Sequence, residues 1–175
     1  MPIPLLWLGA GLGSLALGHH IHKEQQRSRY TVGYFPGEDH LMVTPRNGSV
    51  VCCGIYGVFE HSGIWFDDQI IELKGNGLIR AISPARFLAN RSGERIFVAC
   101  DAQKQPLLER QCANRAVARI FNYDRYDLFQ NNCHRFTWQC VSGQSTKVTQ
   151  FSDLNDKLSE LFSTPVHWQP AEVNF

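Results

Sequence analysis

The chain has 175 residues, 43% of them hydrophobic, which is enough to bury one enzyme-sized core without dividing in two. Its 17 basic and 16 acidic side chains leave a formal net charge of +1, so no strong field directs it to nucleic acid. No block of like charge, low-complexity tract or internal repeat is evident.

Residues 1–29 stand apart as a hydrophobic segment and basic linker. The run from Pro2 to Gly18 carries no charge and is followed by His19, His20, His22, Lys23, Arg27 and Arg29. At about seventeen residues it meets the lower limit for crossing a bilayer. Basic residues on its C-terminal side would keep the following domain cytoplasmic, and a cleaved signal would need a positive n-region that is missing here. The expectation is membrane association through this segment; the alternative is an arm packed on its own domain or on a partner. The three histidines read as a solvated basic stretch, not as a metal site.

From Tyr30 onward, short strands alternate with turns. Strands are expected at Leu41–Thr44, ended by Pro45, at Val50–Val58, and at Ser62–Phe66. Asp67 and Asp68 make a tight turn into a strand at Gln69–Leu73. Leu78–Ile82 and Ile96–Cys100 complete the expected antiparallel sheet. Helices then take over. Leu107, Leu108, Cys112, Ala116 and Ile120 recur at helical spacing across Pro106–Asn122, with Ala113 and Val117 widening the stripe. Asn132 is placed to cap a helix from Cys133 to about Val141, stopped by Gly143. Another begins at Ser152 with Leu154, Leu158, Leu161 and Phe162 on one face. Residues 166–175 read as an irregular tail. The class is α+β, an antiparallel sheet packed against helices.

Six cysteines allow a disulfide framework on number alone, but Cys52 and Cys53 are adjacent in an apolar run and Cys100 ends another. No Cys-x-x-Cys spacing occurs, which argues against structural zinc. Reduced thiols are expected, with Cys112–Cys140 the pairing left open.

The chemistry concentrates in two segments, Glu60-His-Ser-Gly-Ile-Trp-Phe66 and Tyr126-Asp-Leu-Phe-Gln-Asn-Asn-Cys-His-Arg-Phe136. A thiol is a useful nucleophile only when its pKa is lowered, and a helix N-terminus with a nearby imidazole does that. Cys133 is therefore the candidate nucleophile and His61 the base that takes its proton and returns it to a leaving group. Glu72 lies across the Asp67-Asp68 turn, where strand pairing can bring it to His61 as the third member of a triad. The Cys133 backbone N–H is a candidate oxyanion donor. His134 is not expected as the base, because adjacent helical residues point about 100° apart. No metal or organic cofactor is required.

His-Ser-Gly-Ile-Trp-Phe-Asp-Asp-Gln-Ile-Ile-Glu-Leu resembles the histidine strand of the lecithin retinol acyltransferase-like family, and Asn-Asn-Cys-His-Arg-Phe resembles its nucleophile motif. The resemblance covers roughly residues 39–143, including Ser83-Pro-Ala-Arg-Phe-Leu88. It implies a circularly permuted papain-like fold with a catalytic domain over 30–165, acyl transfer or hydrolysis, and lipid acyl chains as cargo. The chain departs from the family where a second histidine is often found, since Glu72 aligns there.

The function expected is a thiol-dependent acyltransferase or hydrolase acting on acyl esters, with phospholipid the foremost candidate, through an acyl-cysteine on Cys133. A papain-like amidase or peptidase acting on cell-wall or other peptides is the alternative, and a non-catalytic membrane-tethered binding module is a second.

Overall fold

Side chains that alternate along each strand make this sheet apolar on both faces, so it needs a layer on each side. The computed structural model describes residues 18, 20–55, 59–91 and 93–173. The seven strands described are β1 (Val32–Tyr34), β2 (Val50–Ile55), β3 (Phe59–Phe66), β4 (Gln69–Leu73), β5 (Ile79–Ile82), β6 (Phe97–Cys100) and β7 (Val166–Pro170). They lie in the order β1-β7-β6-β2-β3-β4-β5, with β1 parallel to β7 and the other neighbours antiparallel. The helices are α1 (residues 20–28), α2 (Pro84–Leu88), α3 (Cys112–Val117), α4 (Cys133–Ser142) and α5 (Phe151–Phe162). The class is α+β, as expected.

On one face Cys52, Ile64, Ile71, Leu73 and Ala99 pack with Phe136 and Cys140 of α4, and Leu154 and Leu158 of α5. On the other, Val51, Cys53, Trp65, Ile70 and Val98 pack with Phe87 of α2. α1 docks through one buried side chain. Gln26 donates from Nε2 to the Ser152 carbonyl and to Asp156 Oδ1, both at 2.9 Å. Its Oε1 accepts from Asn155, whose own oxygen accepts from the indole N–H of Trp168 in β7.

The Asp67-Asp68 turn is as expected, with both residues exposed at φ of 47° and 57°, the left-handed pair that a two-residue hairpin requires. Other expectations are corrected. Leu41–Thr44 is not a strand; Val43 makes a single bridge to Ala171, while Leu41 and Met42 are exposed. The helix over 106–122 shrinks to α3, because backbone groups of β6 and β5 capture its two flanks. Leu107 N–H donates to the Ala99 carbonyl, and Phe121 N–H and Asn122 O bond to Ile79. The irregular tail contains β7, inserted between β1 and β6. Leu161, assigned to the apolar face of α5, is exposed, and Phe151 takes the burial instead.

The uncharged run at 2–18 lies outside the described residues, apart from Gly18. Among the described residues no helix is long and apolar enough to cross a membrane. All six cysteines are free, including Cys112 and Cys140.

At Gly63, β3 lies too close to β4 to admit a side chain. A Cβ there would lie 2.7 Å from Ile70 Cγ2 and 2.8 Å from the Ile71 carbonyl oxygen. Gly63→Ala is therefore expected to destabilise the fold by about 1–3 kcal/mol, read as a lowered urea midpoint at unchanged slope; an unshifted midpoint would show that β4 yields freely.

Candidate active site

Asn132 shapes the start of α4. Its side-chain oxygen accepts the N–H groups of His134 and Arg135 at 3.0 and 3.1 Å, and its carbonyl accepts from Phe136. Its amide donates to the carbonyls of Leu128 and Thr149 at 2.9 and 2.7 Å, so the cap is tied to the loops on both sides. The cap leaves the Cys133 N–H unused, which is the donor a developing oxyanion needs. Gly143, at φ 72°, ends the helix.

β3 and β4 supply the other members. Glu72 is fully buried, and its Oε2 lies 2.7 Å from His61 Nε2. Arg91 donates to the same oxygen at 2.9 Å. Arg80, the cross-strand partner of Glu72, donates to Oε1 through Nε and Nη2 at 2.9 and 2.7 Å. Because a carboxylate only accepts, His61 Nε2 carries the hydrogen and Nδ1 is the nitrogen left for the thiol. The His61 ring rests on Phe87 of α2, with centroids 5.2 Å apart.

The electrostatics follow from this arrangement. Burial opposes charge on Glu72, yet hydrogen bonds from His61 and Arg80 and the charges of His61 and Arg91 hold its carboxyl below the usual carboxylate range. Burial also pushes His61 down, but Cys133 and Glu72 together raise it above its ordinary value. Cys133 is 5% exposed, and burial alone would raise its thiol. The charges and hydrogen bonds of His134 and His61 outweigh that and hold it well below the ordinary thiol range. The other five thiols move the opposite way, chiefly through burial, with Cys53, Cys100 and Cys140 pushed up to about 12. A thiolate–imidazolium pair backed by a carboxylate can attack a carbonyl carbon and protonate a leaving group.

The structure thus brings together Cys133, His61 and Glu72, the three residues singled out from sequence. Arg80 and Arg91 were missed, although Arg80 was legible as the cross-strand neighbour of Glu72 once the strands at 69–73 and 78–82 were paired. His134 was set aside as the base, and nothing in the geometry makes it one. Its ring does interact with Cys133, because the 100° between adjacent helical residues separates backbone directions and not the far ends of long side chains. Asp67 and Asp68 remain turn residues. Among the described residues no group of His, Cys, Asp or Glu is arranged to hold a metal ion.

Glu72→Gln should cost about 2–4 kcal/mol at neutral pH, since it leaves Arg80 and Arg91 facing an uncharged partner. The depressed carboxyl stabilises the fold fully above its unfolded value of about 4.3. That contribution is lost as pH falls toward the folded value of about 2. Denaturant titrations from pH 7 to 2 should therefore show wild type and Glu72→Gln converging at the acid end; a pH-independent gap would refute the ionic account.

Comparison with protein-family models returns no match, and no curated protein or solved structure is significantly similar to the chain.

Proposed function

We propose that the chain is a thiol-dependent acyltransferase or hydrolase with the permuted papain-like arrangement of the lecithin retinol acyltransferase-like family. The observation that carries this reading is Cys133 at the capped start of α4, interacting with His61, which is in turn bonded to Glu72. In the reaction, Cys133 Sγ attacks an ester carbonyl, and the proton held by His61 goes to the departing alcohol oxygen. An acyl-thioester remains on Cys133, with the Cys133 N–H serving the oxyanion. Water, or an acceptor hydroxyl or amine, then gives a proton to His61 and displaces the thiolate. Glu72 keeps the imidazole oriented and favours its charged form throughout.

The segment leading into Cys133 supports an apolar acyl substrate. Phe121, Tyr123, Leu128 and Phe129 are 60–81% exposed, and Tyr126 between them interacts with Cys133. Large apolar side chains left in water along the segment that leads to the nucleophile suit a lipid acyl chain or a bilayer surface better than a polar peptide.

Incubation with a phospholipid bearing labelled acyl chains should give an acyl adduct by intact mass on the wild type and none on Cys133→Ser. A reactive thiol with neither adduct nor released fatty acid would direct the assignment to amide substrates. A thiol that resists alkylation in the folded protein would leave the binding module. Leu128→Ser with Phe129→Ser should slow acylation from vesicles about tenfold or more, the effect of removing two apolar anchors. The same pair should change acylation from a short soluble thioester less than about twofold; equal losses on both would remove the argument for a lipid surface.

A further inference from the structure

β3 presents His61 and Ser62 in succession, and both bear on the start of α4. His61 does so directly. Ser62 does so through His134: its Oγ lies 2.9 Å from His134 Nδ1 and 3.0 Å from Thr137 Oγ1. Ser62 and Thr137 are fully buried and His134 is 6% exposed, with its ring against Phe151 at 5.6 Å between centroids. A buried hydroxyl on Nδ1 fixes the orientation of an imidazole and, because it can donate or accept, serves either tautomer. Nε2 is then the nitrogen left for another partner, and the Cys133 thiol is a neighbouring group with which this ring interacts.

We propose that His134 is a second positioning residue for Cys133, anchored by Ser62 and Thr137 so that its ring holds the thiolate beside His61. This rests on the catalytic reading of Cys133 given above. The division of labour is physical. His61, backed by Glu72, takes and returns the proton; His134, backed only by hydroxyls, has no carboxylate on its anchored nitrogen and stabilises the charge left on sulfur. Ser62 and Thr137 form a neutral pair that orients the ring without adding a charge.

Other titratable groups face this pair from each surrounding element. Glu60 and His61 come from β3, Cys53 from β2 and Tyr126 from the segment before α4. Lys23 of α1 bears on Glu60, and Glu72 and Arg91 bear on His61. Glu60 titrates within the working range, because burial raises it to about 7 against the opposing charges of His134 and Lys23. Glu60→Gln is therefore the necessary control.

The experiment is the pH dependence of Cys133 alkylation by iodoacetamide in the folded, full-length protein, followed by peptide mass, with thermal midpoints recorded in parallel. The high pKa values of the other thiols keep the readout on Cys133. His134→Gln should raise the midpoint by about one pH unit or more, and Ser62→Ala by about half as much, because the ring remains but loses its anchor. Glu60→Gln should leave a midpoint that still rises when His134→Gln is added. If His134→Gln fails to fold, Ser62→Ala and Thr137→Val carry the same test through the anchor. A low wild-type midpoint that none of these variants moves, with only thermal stability reduced, would overturn the role of His134 and leave the Cys133–His61 pair standing. A wild-type midpoint in the ordinary thiol range, by contrast, would remove the catalytic reading itself.

Discussion

Glu72 is the charge around which this half of the molecule is arranged. A carboxylate with no exposed surface loses several kcal/mol of hydration, and partners must replace it. Those partners come from three places: His61 of β3, Arg80 of β5, and Arg91 beyond α2. The ion cluster and the strand register are thus one constraint. Glu72 opposes Arg80 only while Leu73 opposes Ile79, and a slip of one residue would drive the carboxylate into the apolar layer that holds Leu73 and Ile79.

The same alternation explains how one strand serves the thiol twice. Consecutive residues of β3 project to opposite faces. His61 accordingly rests on Phe87 of α2, while Ser62 meets His134 and Thr137 of α4. Cys133, on the first turn of α4, interacts with the rings supplied by both arrangements. Its chemistry therefore depends on the packing of two layers, joined by a strand whose close approach to β4 requires a glycine at 63.

What was legible in the sequence was local. Asn132 and Gly143 bracket α4 because capping is a matter of a few bonds within one turn. The Asp67-Asp68 hairpin sets the register of β3 on β4, and so places Glu72 beside His61 before any tertiary packing is known. What was not legible was decided by distant partners. Leu107 and Ile120 carry a helical apolar pattern, but backbone bonds from Leu107 to Ala99 and from Phe121 to Ile79 outweigh it at both ends of α3. Residues 166–170 are flanked by Pro165 and end in Pro170, which hides a strand. They form one because β1 and β6 offer backbone partners on both sides of the gap between them. His134 was set aside as the base on backbone direction, and only the burial of Ser62 reveals where its ring is held.

The proposed reaction also fits the economy of buried charge. With Cys133 as thiolate and His61 protonated, the cluster holds two anions, Cys133 and Glu72, and three cations, His61, Arg80 and Arg91. Acylation removes the negative charge from sulfur as the thioester forms, and the imidazolium proton leaves with the alcohol. One anion and two cations remain, so the net charge inside the protein is the same before and after. In between, the tetrahedral intermediate carries its charge on oxygen, close to where the thiolate charge had been, so the surrounding dipoles need little reorientation. A site that exchanges charge without changing its total can stay as dry as this one, with Cys133 and His61 only 5% and 6% exposed. Dryness in turn strengthens each of the ion pairs that hold the thiol below its ordinary range.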